Sequence, residues 1–178
     1  MIKIVLQLLH KISFDKNVDH LVLAGDMISK GPDSLGVIDL ARNIGASCVR
    51  GNHEDRVLLV YAELNAKRVP LPGPEEPVLL ENDEMEEESF SHGDYRDRAL
   101  AKKLSHQQAS WLKQCPVILK IGNVKGMNEV VVVHGGLVPG ISLAKQDPFS
   151  VMNMRSIDLE THVPSENRNG VNWTKVFS

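Results

Sequence analysis

Three short polar motifs follow apolar runs along this chain of 178 residues. They are Gly25-Asp26, Gly51-Asn52-His53-Glu54 and His134-Gly135-Gly136. Their side chains supply carboxylate, carboxamide and imidazole groups, which can bind ligands and exchange protons. In open α/β sheets, ligands bind beyond the carboxyl ends of the strands. If the apolar runs are strands, all three motifs therefore lie where a functional site would be built.

Each motif taken alone has an ordinary structural explanation. Gly-Asp pairs are common in turns, and Asn52 is a good residue for a helix N-cap. His134 follows four valines, where a buried histidine bonded to the backbone is the plain alternative. The conjunction of all three motifs, in this order and at successive strand ends, favours one functional site over three separate structural roles.

The elements that must position these motifs are predicted from the spacing of apolar residues and from helix start and stop signals. The predicted elements are a helix over 2–12, a strand over 20–25, a helix between Pro32 and Gly45, a strand over 46–50 and a helix over 54–66. This alternation predicts a parallel βαβ unit and an α/β fold. The helix over 2–12 has the character of a crossover, which normally joins two parallel strands, yet no strand precedes it.

The second half of the chain is less regular. Residues 67–95 are predicted to be a solvated insertion, because four prolines interrupt them and the stretch ENDEMEEE (81–88) carries six acids. Ser105 and Gln108 form a capping-box pattern, which predicts a helix that ends near Cys115-Pro116. Two further strands are predicted over 117–121 and 129–133, followed by a loop-rich region over 135–178.

Composition limits the classes of function. The net charge of −3, from 20 basic and 23 acidic residues, gives no basic field for nucleic-acid binding. No apolar run approaches the ~20 residues that span a bilayer, and the N-terminus lacks a signal-peptide pattern. Hydrophobic residues make up 42% and aromatic residues 4%, which predicts an aliphatic core. Cys48 and Cys115 are the only cysteines and are predicted to be buried, reduced thiols.

The order GD…GNHE…HGG resembles the calcineurin-like metallophosphoesterase family. The stretches LAGDMISKGPDS (23–34), CVRGNHEDRVLL (48–59) and MNMRSI (152–157) look like the branch with diadenosine tetraphosphatase-like enzymes and the fungal zinc-dependent endopolyphosphatase. The resemblance covers nearly the whole chain. It implies a metallophosphoesterase-type β-sandwich flanked by helices.

The resemblance also implies a set of metal ligands. Asp26 would bridge two metal ions, and Asn52 and His134 would bind the second of them. Two cations ~3.5–4 Å apart stabilise the attacking and leaving oxygens and activate a water at neutral pH. Oxygen and imidazole donors suit Mn, Zn or Fe.

Substrate contacts follow from the same resemblance. His53 would face the scissile phosphate, as a general acid or as a hydrogen-bond donor in the transition state. Lys30 stands where many relatives have arginine, and would hold a substrate oxygen as a point charge. Ser29 replaces the acidic residue that in many relatives orients the catalytic imidazole. Arg50 is expected to form a structural ion pair.

Two motifs of the family pattern are missing. The pattern begins with Asp-x-His after a first strand and ends with a late Gly-His, and neither occurs here. His162 lies in a polar loop and is not expected to replace the late histidine. We therefore expect an incomplete domain, with the first strand and the C-terminal strands absent. Such a domain would hold at most one metal ion well.

The sequence thus predicts a metal-dependent phosphatase whose activity is impaired by the missing motifs. Its substrate would be a phosphorylated small molecule such as a dinucleoside polyphosphate. Polyphosphate and a phosphoprotein are the other substrates that the resemblance allows. The alternative is a non-catalytic remnant that binds phosphate or protein. The compartment is expected to be cytoplasmic or, by the fungal resemblance, vacuolar.

Overall fold

The computed structural model describes residues 2–66, 92–168 and 170–176. The helices in these ranges are α1 (Ile2–Lys11), α2 (Ser34–Asn43), α3 (Asn52–Ala66), α4 (His92–Lys103), α5 (His106–Gln114) and α6 (Pro148–Asn153). The strands are β1 (Val22–Leu23), β2 (Ser47–Cys48), β3 (Ile118–Val124), β4 (Asn128–Val133), β5 (Ser156–Ile157) and β6 (Pro164–Ser165). Short 3-10 helices cover Leu143–Lys145 and Trp173–Val176. The predicted α/β class is confirmed.

The first three elements after α1 form the predicted parallel βαβ unit. The register of β1 and β2 pairs Val22 with Ser47 and Leu23 with Cys48. α2 begins after Asp33, whose Oδ1 accepts a hydrogen bond of 2.9 Å from the backbone N of Gly36. Such a cap satisfies a donor that the first helical turn leaves unpaired. Both strands are shorter than predicted because the chain leaves the ladder early to form the loops of the site.

The core packs α2, α3, α4 and α5 around the end of this unit. Its largest fully buried aliphatic side chains include Ile28, Ile38, Val57 and Leu112, each 0% exposed. Burying one such side chain stabilises a fold by roughly 1.5–3 kcal/mol. The core is aliphatic, as the composition predicts. Ile28 follows Asp26 and Val57 follows His53 by a few residues. The same core therefore anchors the two segments that carry Asp26 and His53.

α1 buries only part of the face predicted for it. Leu9 is buried, and Ile2 and Val5 are half-buried, whereas Ile12 is 59% exposed. The helix packs against α2. None of the helices in the described ranges is long and apolar enough to span a membrane.

The remaining strands pair in two further two-stranded sheets. β3 and β4 form an antiparallel hairpin with an irregularity in register between Lys120 and Gly122. β5 and β6 form a short antiparallel pair. Within the described ranges the strands therefore form three separate two-stranded sheets. The β4 strand ends at Val133, so it delivers His134 directly to the site.

Two helices near the site begin at residues that the sequence does not predict. α3 begins at Asn52 rather than at 54, because the buried Glu54 side chain accepts the backbone N of Gly51 and starts the first turn early. α4 begins at His92, inside the segment 67–95 predicted as an insertion. The part of that prediction over 67–91 lies outside the described residues.

The prediction of two reduced thiols is wrong. Cys48 and Cys115 form a disulfide with a Cα–Cα distance of 5.1 Å. The two cysteines are 67 residues apart, so no local spacing pattern predicts their contact. They meet because α5 ends against β2. Arg50 donates its backbone N to the Pro116 carbonyl at 2.8 Å, which brings the two segments together. The disulfide therefore joins the strand before the GNHE motif to the helix end that supports it.

We expect reduction of this disulfide to lower the free energy of unfolding by about 4 kcal/mol, because a bridge across so long a loop restricts the unfolded chain. Urea unfolding of the wild type, with and without dithiothreitol, measures the change. The Cys48→Ser/Cys115→Ser variant is the control and should not respond to dithiothreitol. Equal stability of the oxidised and reduced wild type would contradict the expectation.

Candidate functional site

Three chain segments meet at the site: the loop after β1, the junction of β2 with α3, and the residue after β4. Gly25 has a φ of 85° and Asp26 a φ of 52°. A Cβ atom on Gly25 would lie 2.7 Å from Nδ1 of His134 and 3.0 Å from Cα of Gly51. Glycine alone accepts the positive φ without strain and leaves room for both neighbours. Gly25 therefore allows the three segments to pack against one another.

The carboxylate of Asp26 lies at the centre of the site. Its Oδ1 is 3.2 Å from Nε2 of His134 and accepts the backbone N of His53 at 3.3 Å. Its Oδ2 is 3.0 Å from Nζ of Lys30 and 3.6 Å from Nε2 of His53. Burial favours a higher pKa for Asp26, but hydrogen bonds from His134 and Lys30 outweigh it and hold the pKa well below its usual range. Asp26 is therefore an anion with two usable oxygens.

His134 is oriented by the backbone of the first loop. Its Nδ1 donates to the Ala24 carbonyl oxygen at 2.9 Å, which leaves Nε2 facing Asp26. The hydrogen bond with Asp26 raises the pKa of His134, against the opposing effect of burial. Fixing one ring nitrogen on a carbonyl is the usual way in which a protein presents the other nitrogen to a metal ion.

Glu54 joins the first two segments. Its side chain is 0% exposed. Oε2 accepts the backbone N of Asp26 at 2.8 Å and of Gly51 at 2.9 Å, and Oε1 accepts the backbone N of Ile28 at 3.2 Å. Burial raises the pKa of Glu54, while these donors favour its charged form. Sequence reasoning counted this glutamate in the motif without assigning it this positioning role.

Asn52 carries an unpaired atom at the site. Its Oδ1 is buried and has no hydrogen-bond partner among the described residues. An orphaned buried acceptor costs about 1–3 kcal/mol, so a water molecule or a metal ion at this atom would stabilise the site. A carboxylate oxygen, an amide oxygen and an imidazole nitrogen are donors that a divalent cation accepts. The predicted ligands Asp26, Asn52 and His134 therefore carry donor types that suit a divalent cation.

Within residues 2–66, 92–168 and 170–176, no group of three or more His, Cys, Asp or Glu side chains is arranged to hold a metal ion. The fit of the three predicted ligands depends on the amide oxygen of Asn52, which lies outside that set of residue types.

His53 contacts residues that the sequence did not point to. Its Nδ1 lies 2.8 Å from Nη2 of Arg56. Nε of Arg56 lies 3.1 Å from Oδ2 of Asp97, and Oδ1 of Asp97 accepts the Ser29 hydroxyl at 2.8 Å. Burial lowers the pKa of His53, which favours the neutral ring. Helical spacing places Arg56 one turn after His53, but nothing in the sequence links either residue to Asp97 on α4.

Arg50 and Lys30 complete the predicted set. Nη1 of Arg50 lies 3.4 Å from Oδ1 of Asp55, and its Nη2 donates to the Lys113 carbonyl oxygen at 2.9 Å. Arg50 is thus a structural ion-pairing residue, as predicted. Lys30 is 64% exposed and contacts Asp26, so its ammonium group lies between the site and solvent.

Residues 2–177 match the family profile described as calcineurin-like phosphoesterase. The chain belongs to the calcineurin-like phosphoesterase family. The family predicted from the order of motifs is therefore confirmed, and the match covers nearly the entire sequence.

Curated relatives are symmetrical bis(5'-nucleosyl)-tetraphosphatases. The protein from Proteus mirabilis is 28% identical over 140 residues, which cover 78% of this chain and 41% of the relative. The protein from Hamiltonella defensa is 31% identical over 134 residues, which cover 74% and 39%. A crystal structure described as that of a candidate diadenosine tetraphosphatase aligns with a TM-score of 0.72 at 26% identity, covering 97% of this chain and 63% of that one. The chain spans about two fifths of the length of these curated relatives.

We expect Glu54→Gln to lower the free energy of unfolding by about 1–3 kcal/mol, because an amide NH2 would face a backbone N–H that the carboxylate now accepts. Urea unfolding measures the loss. Glu160→Gln on the exposed turn after β5 is the matched control, and we expect it to stay within about 0.5 kcal/mol of the wild type. Equal effects of the two substitutions would contradict the positioning role of Glu54.

Proposed function

We propose that this calcineurin-like domain hydrolyses phosphoanhydride bonds with the help of a divalent metal ion, and that dinucleoside polyphosphates are its substrate class. One observation carries the proposal. The ionised carboxylate of Asp26 lies within 3.6 Å of an imidazole nitrogen of His53 and within 3.2 Å of one of His134. The carboxylate and the imidazole nitrogens supply oxygen and nitrogen donors of the kind that a catalytic divalent cation accepts.

Asp26, Asn52 and His134 would hold the metal ion, through Oδ1 or Oδ2, Oδ1 and Nε2 respectively. A bound divalent cation of this kind supplies charge stabilisation to the phosphoryl group and an activated water nucleophile. The Ala24 carbonyl keeps Nε2 of His134 directed into the site. The backbone N of His53, at the start of α3, donates to the Asp26 carboxylate, where the helix dipole favours negative charge.

The side chains of His53 and Lys30 act on the substrate in this proposal. His53 is 13% exposed, and its Nε2 faces the same carboxylate edge as Nζ of Lys30. Nε2–H of His53 donates a hydrogen bond to a phosphoryl oxygen as that oxygen gains negative charge. Lys30 exchanges its contact with Asp26 for one with a phosphate oxygen.

The choice of dinucleoside polyphosphates has two supports. The curated relatives are named for this activity. A cleft of about 600 Å³ also begins at Lys30 and runs between the first loop and α4. Its lining includes the cations Lys30, Arg96 and Lys103 and the ring of Tyr95, which is 55% exposed. Cations suit the phosphates beyond the reacting one, and an exposed aromatic ring suits a base.

A second candidate function is binding of phosphate compounds without turnover. It is favoured by the proposed ligand set, because Asp26, Asn52 and His134 would supply one metal position rather than two. A single cation with Lys30 nearby would still attract a phosphate group. The two candidates differ in whether product appears.

We expect the chain loaded with Mn²⁺ to convert diadenosine tetraphosphate and one water into two molecules of ADP, by cleavage of the central anhydride. Anion-exchange chromatography of the products measures the rate. We expect His53→Ala to lower kcat by about 100-fold or more, because the donor to the phosphoryl oxygen is lost. His162→Ala on an exposed turn is the matched control and should keep the wild-type rate.

A wild-type chain that binds the dinucleotide but releases no ADP would support the second candidate and contradict the first.

Substitution of the cleft cations tests the substrate class. We expect Arg96→Ala and Lys103→Ala each to raise KM for the dinucleotide about threefold, as for an exposed ion pair, and to leave KM for p-nitrophenyl phosphate unchanged.

A further inference from the structure

The imidazole of His53 is held on its outer side by an arginine from the same helix. Nη2 of Arg56 lies 2.8 Å from Nδ1 of His53. The two residues are three positions apart on α3, where side chains lie on the same face. A guanidinium group has donors and no acceptor, so Nδ1 must offer its lone pair in this contact. The ring proton of the neutral imidazole is therefore on Nε2, which faces Asp26.

Arg56 is in turn anchored by a buried carboxylate on another helix. Asp97 on α4 is 3% exposed, and its Oδ2 forms an ion pair of 3.1 Å with Nε of Arg56. Its Oδ1 accepts the hydroxyl of Ser29 at 2.8 Å. A charge buried to this extent costs free energy unless it is paired. Arg56 supplies the opposite charge and Ser29 a hydrogen bond, while Oδ2 of Asp97 accepts no hydrogen bond among the described residues. These contacts link the first loop, α3 and α4 through one carboxylate.

Ser29 is connected to His53 through Asp97 and Arg56. The Ser29 hydroxyl binds Oδ1 of Asp97 on α4. The carboxylate on α4 therefore contacts Arg56, and Arg56 contacts Nδ1 of His53. A carboxylate placed directly at Nδ1 would accept a hydrogen bond from the ring, whereas Arg56 donates a hydrogen bond to it. The two arrangements fix opposite roles for the same ring nitrogen.

We propose that Arg56 and Asp97 are positioning residues that hold His53 as its Nε2–H tautomer, with that proton directed at the Asp26 side of the site. The structural part of the proposal stands on the three contacts alone. Its catalytic consequence rests on the proposed function: Nε2–H is then permanently available as the donor to a phosphoryl oxygen. Neither residue touches the substrate.

The tautomer is tested directly by long-range ¹H–¹⁵N correlation spectra of the metal-free, full chain labelled at its 7 histidines. The His53 signals are assigned by their loss in His53→Gln. We expect an unprotonated Nδ1 and a protonated Nε2 in the wild type. Arg56→Leu should shift His53 to a mixture of both tautomers, and Asp97→Asn should produce a smaller shift in the same direction.

Arg50→Leu is the matched control, because Arg50 pairs with Asp55 on the same helix and does not contact His53. Its His53 signals should equal those of the wild type. Arg56 is 48% exposed, so its removal spares the core. Arg56→Lys keeps a donor near Nδ1 and should retain the wild-type tautomer, which provides a second variant if Arg56→Leu unfolds. Unchanged His53 signals in a folded Arg56→Leu would overturn the proposal.

Kinetics provide a separate readout with Mn²⁺ bound. We expect Arg56→Leu to lower kcat for diadenosine tetraphosphate by about 10-fold or more with KM unchanged, and Arg56→Lys to restore most of the loss. An equal loss in Arg56→Lys would contradict the donor role. If the wild type shows no turnover, the proposed function fails, while the spectra still decide the position of the ring proton.

Discussion

The site depends on one buried carboxylate that is not itself a ligand. Glu54 accepts backbone N–H groups from Asp26, Ile28 and Gly51, and it is completely removed from solvent. These bonds clamp the loop after β1 to the start of α3. A Cβ atom on Gly51 would lie 2.6 Å from Oδ1 of Asp26 and 2.9 Å from Oε2 of Glu54, so the two loops touch as closely as backbones can. The left-handed backbone at Asp26 costs of order 1–3 kcal/mol. The hydrogen bonds to Glu54 offset this cost.

The clamp concentrates charge of opposite sign in a small volume. Asp26 is held as an anion by His134 and Lys30, and its two oxygens face different neighbours. His53 lies in the same volume but is held neutral by burial, with Arg56 on its far side. An ionised carboxylate therefore lies beside an imidazole whose neutral form is favoured. The buried Oδ1 atom of Asn52 has no hydrogen-bond partner among the described residues.

Local sequence signals predicted what lies close in sequence. Motif order predicted the family, and the meeting of the loops that carry Asp26, His53 and His134 followed from placing each after a strand. The roles assigned to these residues are still predictions. Contacts between distant segments were not visible: the Cys48–Cys115 disulfide was read as two thiols, and Asp97 fell just beyond a stretch predicted to be a loop. Their partners depend on how α4 and α5 pack against the βαβ unit, and no spacing rule within one element encodes that packing. The early start of α3 has a different cause, because the hydrogen bond from the backbone N of Gly51 to Glu54 is local.

The central claim is that the carboxylate of Asp26, the amide oxygen of Asn52 and Nε2 of His134 converge on one divalent cation. Calorimetric titration of Mn²⁺ into the metal-free chain tests it most directly. The account predicts a single binding event in the wild type, weakened more than about tenfold by Asp26→Asn, by Asn52→Leu and by His134→Ala, and unchanged by Asp55→Asn, which lies one turn along α3. Wild-type affinity in all three ligand variants would contradict it.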